Sequence, residues 1–424
     1  MIAAPESISL KGRADWLDDP ALQVLLAALS AGGEEARVAG GAVRNTLLGE
    51  PVGDIDIATT TLPDETISRA KAAGFKTVPT GIDHGTITVV ADGVAHEVTT
   101  LRADVETHGR HATVVFGRDW ITDAERRDFT INALYATASG DVIDLVGGLA
   151  DLESRTLRFI GTAEDRIRED YLRILRFFRF FAFYGRGRPD AEGLKACARL
   201  KDGLAKLSAE RVWKELRRTL EAPDPSRALL WMRQTGVLTA ILPESEKWGI
   251  DGIHGLVAAE AALDWAPDAL LRLEAIVPPQ SERMETLGER LKLANAERQR
   301  LRDWAFAPAA DASMSEARLA KALYRGPRDG ISDRLSLALA ARRAAAAEGD
   351  KTAMGEAASL LKLKRFESDW EKPVFPVAGA DLVAAGMAPG PELGRALRLL
   401  EESWIESGFT LTRDALLARA KQPG

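Results

Sequence analysis

The stretch GGAVRNTLLGEPVGDIDIATT, residues 40–60, decides the reading of this chain. Gly40 and Gly41 end a β-rich run, ARVAGG (36–41), and open a helical pattern near 42–49. Asp54 and Asp56 stand two apart in the next predicted strand, 53–60. The two-residue period of a strand puts both carboxylates on one face, with Cα atoms ~7 Å apart. Such a pair can serve two magnesium ions ~3.5–4 Å apart, which prefer a few carboxylates together with substrate phosphates. A lone D-x-D is more often an exposed strand end. The preceding glycines raise it, because backbone without side chains lets amide N–H groups approach a phosphate with a helix N-terminus behind them. Arg44, one turn into the helix, could reach the same anion. The competing reading of Gly40 and Gly41 is a tight turn that needs positive φ.

Outward from this stretch, the first ~150 residues alternate short β-rich runs with turns, as in GTITVVADG (85–93), HEVTTLR (96–102) and GDVIDLVGG (140–148). Helical stretches are predicted near 63–73 and 126–137. Together these describe a small sheet domain with helices. From about 155 onward Ala, Leu, Arg and Glu dominate. Apolar residues there recur at helical spacing in 165–184, 208–221, 226–235 and 315–324, and Ala-rich 338–347 reads as helix too. Loop breaks fall at 222–226, 277–281, 306–313, 324–330 and 371–376.

Further motifs carry chemistry. In RRDFTINAL (126–134), a helix would put Asp128 and Asn132 on one face at i, i+4. With Arg126 and Arg127 they offer donors and an acceptor suited to phosphate and ribose hydroxyls. The bland reading is a helix N-terminus with Asp128 complementing the dipole. In DLVGGLADL (144–152), Gly147 and Gly148 suit either a hinge or a plain loop. In REDYLRILRFFRF (168–180), Glu169, Arg173, Arg176 and Phe180 form one stripe, with Asp170 and Arg173 paired at i, i+3. A surface ion pair beside an aromatic seam would explain this and contribute a few tenths of a kcal/mol. The functional reading is base selection. Cytosine and adenine both present an amino donor beside a ring-nitrogen acceptor, whereas uracil and guanine present a carbonyl beside an N–H. A fixed Asp acceptor next to an Arg donor would accept the first two and reject the others.

Composition bounds these readings. The chain has 424 residues, 46% hydrophobic and 28% charged, which suits a soluble globular protein of two to four modules. No apolar run reaches the ~18–20 residues of a membrane span, and the start MIAAPESISLKGRADW suggests no secretory leader. With Cys197 alone, an intramolecular disulfide is impossible, a zinc cage is not expected, and the reducing cytoplasm is the expected compartment. The five histidines, 84, 96, 108, 111 and 254, form no recognisable ligand set, and the nine tryptophans read as helix packing. The net charge of −7 hides an asymmetry: residues 155–218 hold 17 Lys+Arg against 9 Asp+Glu, +8 there and −15 elsewhere. Such a zone can hold a polyanion locally, although a solvated helical face has the same composition.

In this order the motifs resemble those of the class II tRNA nucleotidyltransferases, the bacterial CCA-adding enzyme and poly(A) polymerase family, from about residue 36 to 245. GGAVRN with DID is similar to the family's metal- and triphosphate-binding motif, RRDFTINA to its ribose-sensing motif, and DLVGGLADL to its flexible element. EDYLR (169–173) resembles its amino-acid template for the incoming base, and LSAERVWKEL (207–216) its helix-stabilising motif. TGVLTAILPE (235–244) resembles the segment that follows, and AGADLVAAGMAPGPELG (378–394) a tail signature of some members.

The resemblance implies an α+β fold: a polymerase-β-like nucleotidyltransferase head, a mixed sheet with helices, followed by all-α neck, body and tail. The corresponding segments are 1–148, 149–221, 222–325 and 326–424. It implies template-independent addition of CMP and AMP, from CTP and ATP, to the 3′ end of tRNA. Asp54 and Asp56 would hold Mg2+, with Glu97 a third carboxylate on a neighbouring strand, unless Glu97 is simply a solvent-facing strand residue. Nucleotide contacts would come from Gly40, Gly41, Arg44, Arg127, Asp128, Asn132, Asp170, Arg173 and Arg176, with Arg102 and Arg110 as further substrate contacts. Residues 103–120 match a mobile loop. tRNA is the expected partner, with a second contact in the tail, no membrane and no obligate protein partner. Asn45 stands where the pattern GG-x-VRD has Asp, and His108-Gly109-Arg110 where D-G-R is common. Poly(A) polymerase, or an A-only or C-only adder, shares the same core. The alternative of another class is a noncatalytic RNA-binding protein on a dead transferase scaffold.

Overall fold

The computed structural model describes residues 8–108, 111–246 and 250–420. The chain divides into two compact units, Met1–Pro243 and Glu244–Gly424. The first opens with nine strands: β1 (Ala36–Ala39), β2 (Asp56–Thr59), β3 (Lys76–Gly81), β4 (Thr86–Ala91), β5 (Val94–Thr100), β6 (Arg102–His108), β7 (His111–Phe116), β8 (Leu134–Ala136) and β9 (Val142–Asp144). Seven form a mixed sheet in the order β3-β4-β5-β2-β1-β8-β9, and β6 with β7 makes a separate hairpin. Only β2 and β5 run parallel within the seven-stranded sheet; its other pairs are antiparallel.

Strict alternation in TITVVA buries Ile87, Val89 and Ala91 on one face of β4, as the two-residue period requires. The helices Pro20–Ser30 and Pro63–Ala72 pack on this sheet. A second cluster, including Ala39, Ala58, Leu101, Trp120 and Tyr135, lies between the central strands and the helix Trp120–Glu125. The register Ile57↔Val98 of β2 with β5 makes Glu97 the neighbour of Asp56 at the strand ends.

Three sequence expectations need correction here. The segment 126–137 is not a helix: Thr130–Asn132 is one 3₁₀ turn, and Leu134–Ala136 is β8, paired with β1 and β9. Sheet pairing on both sides of Tyr135 outweighs the helical spacing of Asp128 and Asn132. The segment expected as a loop at 103–120 is largely the β6–β7 hairpin and the start of a helix. The helix expected over 165–184 breaks in two, Ala163–Glu169 and Leu172–Tyr184, because Asp170 is extended at φ −153, ψ 111.

The neck is fastened to the head by rings. Phe129 and Phe159 form an isolated β-bridge with ring centroids 4.9 Å apart, and Phe159 stacks on Phe177 at 5.4 Å. Along the helix Leu172–Tyr184, Phe177, Phe178, Phe180 and Phe181 turn inward, while Arg173, Arg176 and Arg179 recur every third residue on another face. The helix Ser226–Gln234 packs on this one, so residues up to Pro243 belong to the first unit.

The second unit is helical throughout its described residues. Its longest helices, Arg328–Ala347 and Lys351–Asp369, pair closely, and a tail cluster gathers Leu382, Leu400, Trp404, Ile405 and Leu416. Arg272 and Glu260 form a buried ion pair at 2.6 Å. No helix among the described residues is long and apolar enough to cross a membrane.

The Gly147-Gly148 junction is tightly tied. The Asp144 carboxylate accepts from the backbone N–H of Val146, Gly147, Gly148 and Leu149 at 2.9–3.1 Å. A Cβ on Gly148 would stand 2.3 Å from the Thr130 carbonyl oxygen, and backbone cannot yield as a flexible side chain would. Gly148→Ala is therefore expected to lower stability by ~1–3 kcal/mol in urea unfolding, as overpacking does, and to reduce activity by displacing the turn that carries Asn132.

Candidate active site

The head and neck enclose a cavity of about 690 Å³. Its floor is the glycine turn. Gly40 caps the helix Gly41–Leu48 at φ 67, ψ −109, a conformation that glycine adopts without strain. A side chain there would also come within 3.3 Å of the Asn132 carbonyl and 3.4 Å of Arg127. Pairing of β2 with β1 sets Asp56 opposite Ala39, next to the turn, and Asp54 and Asp56 both line the cavity. The strand begins only at Asp56, and Asp54 lies in the segment leading into it. Both carboxylates are exposed to the opening. Desolvation by the cavity walls, although the residue is open on one side, raises the Asp56 carboxyl above the usual range, and the nearby Glu97 and Asp54 charges raise it further, against Arg127. Mutual repulsion of this kind marks a place where a cation is wanted. Glu97 does not line the cavity, but its charge is felt at Asp56.

The head wall is built on Asp123, which is 1% exposed. Its carboxylate pairs with Arg126 at 2.6 Å and Arg127 at 3.1 Å, and accepts from the Tyr135 hydroxyl at 2.8 Å. Burial pushes Asp123 up, but Arg127, Arg126 and the Tyr135 hydroxyl bring it below the usual carboxylate range. Arg127 is thereby aimed at the cavity, and its NH1 also donates to the Asn132 carbonyl. Asp128 and Asn132 do meet, although no helix joins them: Asn132 Nδ2 donates to Asp128 Oδ1 at 3.0 Å. Asp128 also pairs with Arg176 of the neck at 2.5 Å. Burial raises its carboxyl, and Arg176 with the Asn132 amide more than offsets this, leaving it lowered.

The neck wall carries the arginine stripe. Arg173, Arg176 and Arg179 line the cavity with Asp170 and Arg211. The expected Asp170–Arg173 ion pair is not formed. Arg173 pairs with Glu169 at 2.5 Å, and Asp170 pairs with Arg211 at 2.6 Å. The break between the two helices causes this, since Asp170 sits outside helical geometry and its side chain reaches toward the helix Ala209–Leu220. Arg179 in turn holds Glu215 of that helix at 2.7 Å.

Asp54, Asp56 and all nine expected nucleotide contacts from Gly40 to Arg176 therefore border one cavity, and Glu97 does not. Arg102 does not: it donates to the His84 carbonyl beside the hairpin. Arg110 lies outside the described residues. Sequence reasoning missed Arg179 and Arg211 as lining residues, whereas Phe180 was placed on the Arg173–Arg176 stripe and Asn45 in the glycine motif without a role. The three-residue arginine period of the neck helix would have found Arg179. Arg211 carries no local signal, because its partner is 41 residues away.

Comparisons with known proteins match this geometry. Residues 36–158 match the family model of the poly A polymerase head domain, and residues 188–248 that of the probable RNA and SrmB- binding site of polymerase A. The mitochondrial CCA tRNA nucleotidyltransferase 1 of Mus musculus is 34% identical over 401 residues, covering 92% of this chain and 87% of that protein. The CCA-adding enzyme of Geobacillus thermodenitrificans is 41% identical over 220 residues, 51% of this chain and 53% of that protein. Among solved structures, the Bacillus stearothermophilus CCA-adding enzyme in complex with CTP has a TM-score of 0.68 at 27% identity, over 94% of this chain and 96% of that one.

The lowered carboxylates set an acid limit. Asp123 and Asp128 have folded pKa values below their unfolded ones, so their stabilisation is present above about pH 4 and is lost as pH falls through the lowered values. Asp56, raised, acts in the opposite sense, and its repulsion is relieved on protonation. Urea midpoints measured from pH 7 to pH 3 should fall steeply only below about pH 4. Asp123→Asn should be less stable at pH 7 by ~3–5 kcal/mol, the cost of breaking a buried pair, and show a shallower acid decline.

Proposed function

We propose, for a chain that belongs to the CCA tRNA nucleotidyltransferase family, that this cavity takes CTP and ATP in turn and adds CMP and AMP to the 3′ end of tRNA. One observation carries the reading: two unpaired carboxylates and a glycine turn face a wall of arginines across a space sized for a nucleotide. The poly(A) and noncatalytic alternatives share parts of the scaffold. The Mus musculus relative, matched over 92% of this chain, is by name a CCA enzyme, which is why CCA addition is taken.

The residues present suit magnesium. Asp54 and Asp56 have no ion-pair or hydrogen-bond partner among the described residues, and oxygen donors are what a hard cation requires. No group of three or more candidate ligand side chains occurs among the described residues, so this pair would leave most coordination positions to water and substrate phosphates. Bound magnesium supplies charge neutralisation at the phosphates and acidifies the RNA 3′-hydroxyl.

The chain's own groups then do the following. The Gly40 and Gly41 amides and Arg44 hold the triphosphate. Arg127, held by Asp123, adds positive charge beside it, where the pyrophosphate departs. Asp128 and Asn132 contact the ribose. The 3′-oxygen attacks the α-phosphorus, the bond to the β-phosphate oxygen breaks, and pyrophosphate leaves as the hydroxyl proton is lost. Glu97, on the neighbouring strand, adds negative charge beside the pair and so strengthens its demand for a cation.

Base choice falls to Asp170 and Arg173. Asp170 accepts from the amino group of C or A, and Arg173 donates to the adjacent ring nitrogen. Their bracing supports this, since Arg211 and Glu169 fix each group at the cavity edge. The RNA lies along the basic zone at 155–218, with the tail as a second contact, and recognition is by backbone and shape. The segments 149–221, 222–325 and 326–424 serve as neck, body and tail. A reducing cytoplasm, where Cys197 stays a buried thiol, is the compartment we assign.

Asp54→Ala and Asp56→Ala should each abolish nucleotide addition while leaving tRNA affinity within about twofold. Magnesium should raise the thermal midpoint of the wild type by mass action, and that of Asp56→Ala far less. Asp170→Ala should lose ~10–100-fold of the preference for CTP over UTP and for ATP over GTP, the value of ~1–3 kcal/mol for a well-made pair of base contacts. Incorporation ratios on tRNA ending at the appropriate position measure this, and unchanged ratios in both Asp170→Ala and Arg173→Ala would remove the base-selection assignment.

A further inference from the structure

Arg44 is held differently from the other arginines of the cavity. Arg127, Arg173, Arg176, Arg179 and Arg211 each pair with a carboxylate. Arg44 is only 6% exposed, yet its partners are three neutral oxygens. Its Nε and NH2 donate to Asn45 Oδ1 at 3.1 and 2.9 Å, NH1 donates to Asn132 Oδ1, and NH2 donates to the Tyr184 hydroxyl at 2.8 Å. The Tyr184 ring also lies against it, with the guanidinium carbon 4.1 Å from the ring centroid. These bonds occupy four of the five N–H donors of the side chain.

The difference has a chemical consequence. A carboxylate partner would fix the guanidinium but cancel its charge and compete with an incoming phosphate. A hydroxyl and an aromatic face fix it without cancelling the charge. Desolvation draws Arg44 below the usual arginine range while the Tyr184 hydroxyl and the charge of Asp128 act against it, so an anion entering the cavity meets a buried cation with no carboxylate bonded to it. Tyr184 is the last residue of the neck helix, 140 positions from Arg44, so this hold crosses from neck to head.

We propose that Tyr184 is a positioning residue for nucleotide binding, holding the Arg44 guanidinium in place, charge intact, for the triphosphate of CTP and ATP alike. The proposal rests on the reading that Arg44 binds the triphosphate. Because that group is common to both substrates, Tyr184 should govern affinity and leave base choice untouched.

Steady-state addition to tRNA lacking its 3′ end tests this with Tyr184→Phe, which keeps the ring, and Tyr184→Leu, which removes ring and hydroxyl. Tyr184→Phe should raise KM for CTP and for ATP by a common factor of about 3–10, the scale of one ordinary hydrogen bond, since the lost bond acts on the nucleotide only through Arg44. Tyr184→Leu should raise it about 10–100-fold, the aromatic face being lost as well. The inhibition constant of inorganic triphosphate should rise by the same factors, while kcat, KM for tRNA and the CTP-to-UTP ratio stay within about twofold. A merely structural role would move kcat and the thermal midpoint and leave this split unseen. Triphosphate inhibition and NTP KM unchanged in Tyr184→Phe would overturn the proposal, even if Tyr184→Leu failed to fold. Arg44→Ala separates the two levels. If it raises KM and the Tyr184 variants do not, the positioning role is wrong; if it leaves KM unchanged, the triphosphate reading beneath it is wrong. In the Arg44→Ala background Tyr184→Phe should add nothing, and an additive effect would contradict the proposal.

Discussion

Arg176 and Asp128 meet at 2.5 Å across the junction of neck and head, and the site depends on that contact. Asp128 also receives the Asn132 amide, and Asn132 receives Arg44, so one carboxylate links the arginine stripe, the 3₁₀ turn and the glycine-turn helix. Burying so many guanidinium groups around one cavity would be prohibitive without such bracing, because like charges out of water repel strongly. The chain answers with one acid for nearly every arginine. Asp54 and Asp56 are the carboxylates at the cavity held out of this scheme, which is why the proposed function gives them to a cation.

On the proposed base-selection reading, this bracing lets a protein surface stand in for a nucleic-acid template. Discrimination by two hydrogen bonds requires groups that do not shift when the wrong base enters. Asp170 and Arg173 could not fix one another, since each would then spend its bonding capacity on its neighbour. Pairing Asp170 with Arg211 and Arg173 with Glu169 leaves both with free donors or acceptors toward the cavity. The helix break at Asp170 makes that exchange of partners possible.

Much of this was legible in the sequence, for physical reasons. The two-residue period and glycine punctuation located β2, β4, β5 and the glycine turn, because a half-buried sheet imposes alternation. The residues lining the cavity were legible where motifs concentrate charge beside glycine. Local spacing failed where tertiary pairing decides. Asp128 and Asn132 lie four apart and do bond, yet the segment is a turn and a strand, because β1 and β9 pair with Leu134–Ala136. Arg211 and Tyr184 were invisible for the same reason, their partners being 41 and 140 positions away. The segment 103–120 was read as a mobile loop from the family resemblance, and hydrogen bonding between β6 and β7 makes much of it a paired two-stranded sheet.

One protein cavity, without a nucleic-acid template, is proposed to add C, C and A to tRNA. The most direct measurement incubates the purified chain with a tRNA lacking its last three nucleotides, magnesium and all four NTPs, and sequences the product ends. The account predicts termini of CCA with no extension beyond them and no incorporated U or G. A homopolymeric A tail, or ends unchanged after prolonged incubation, would contradict it.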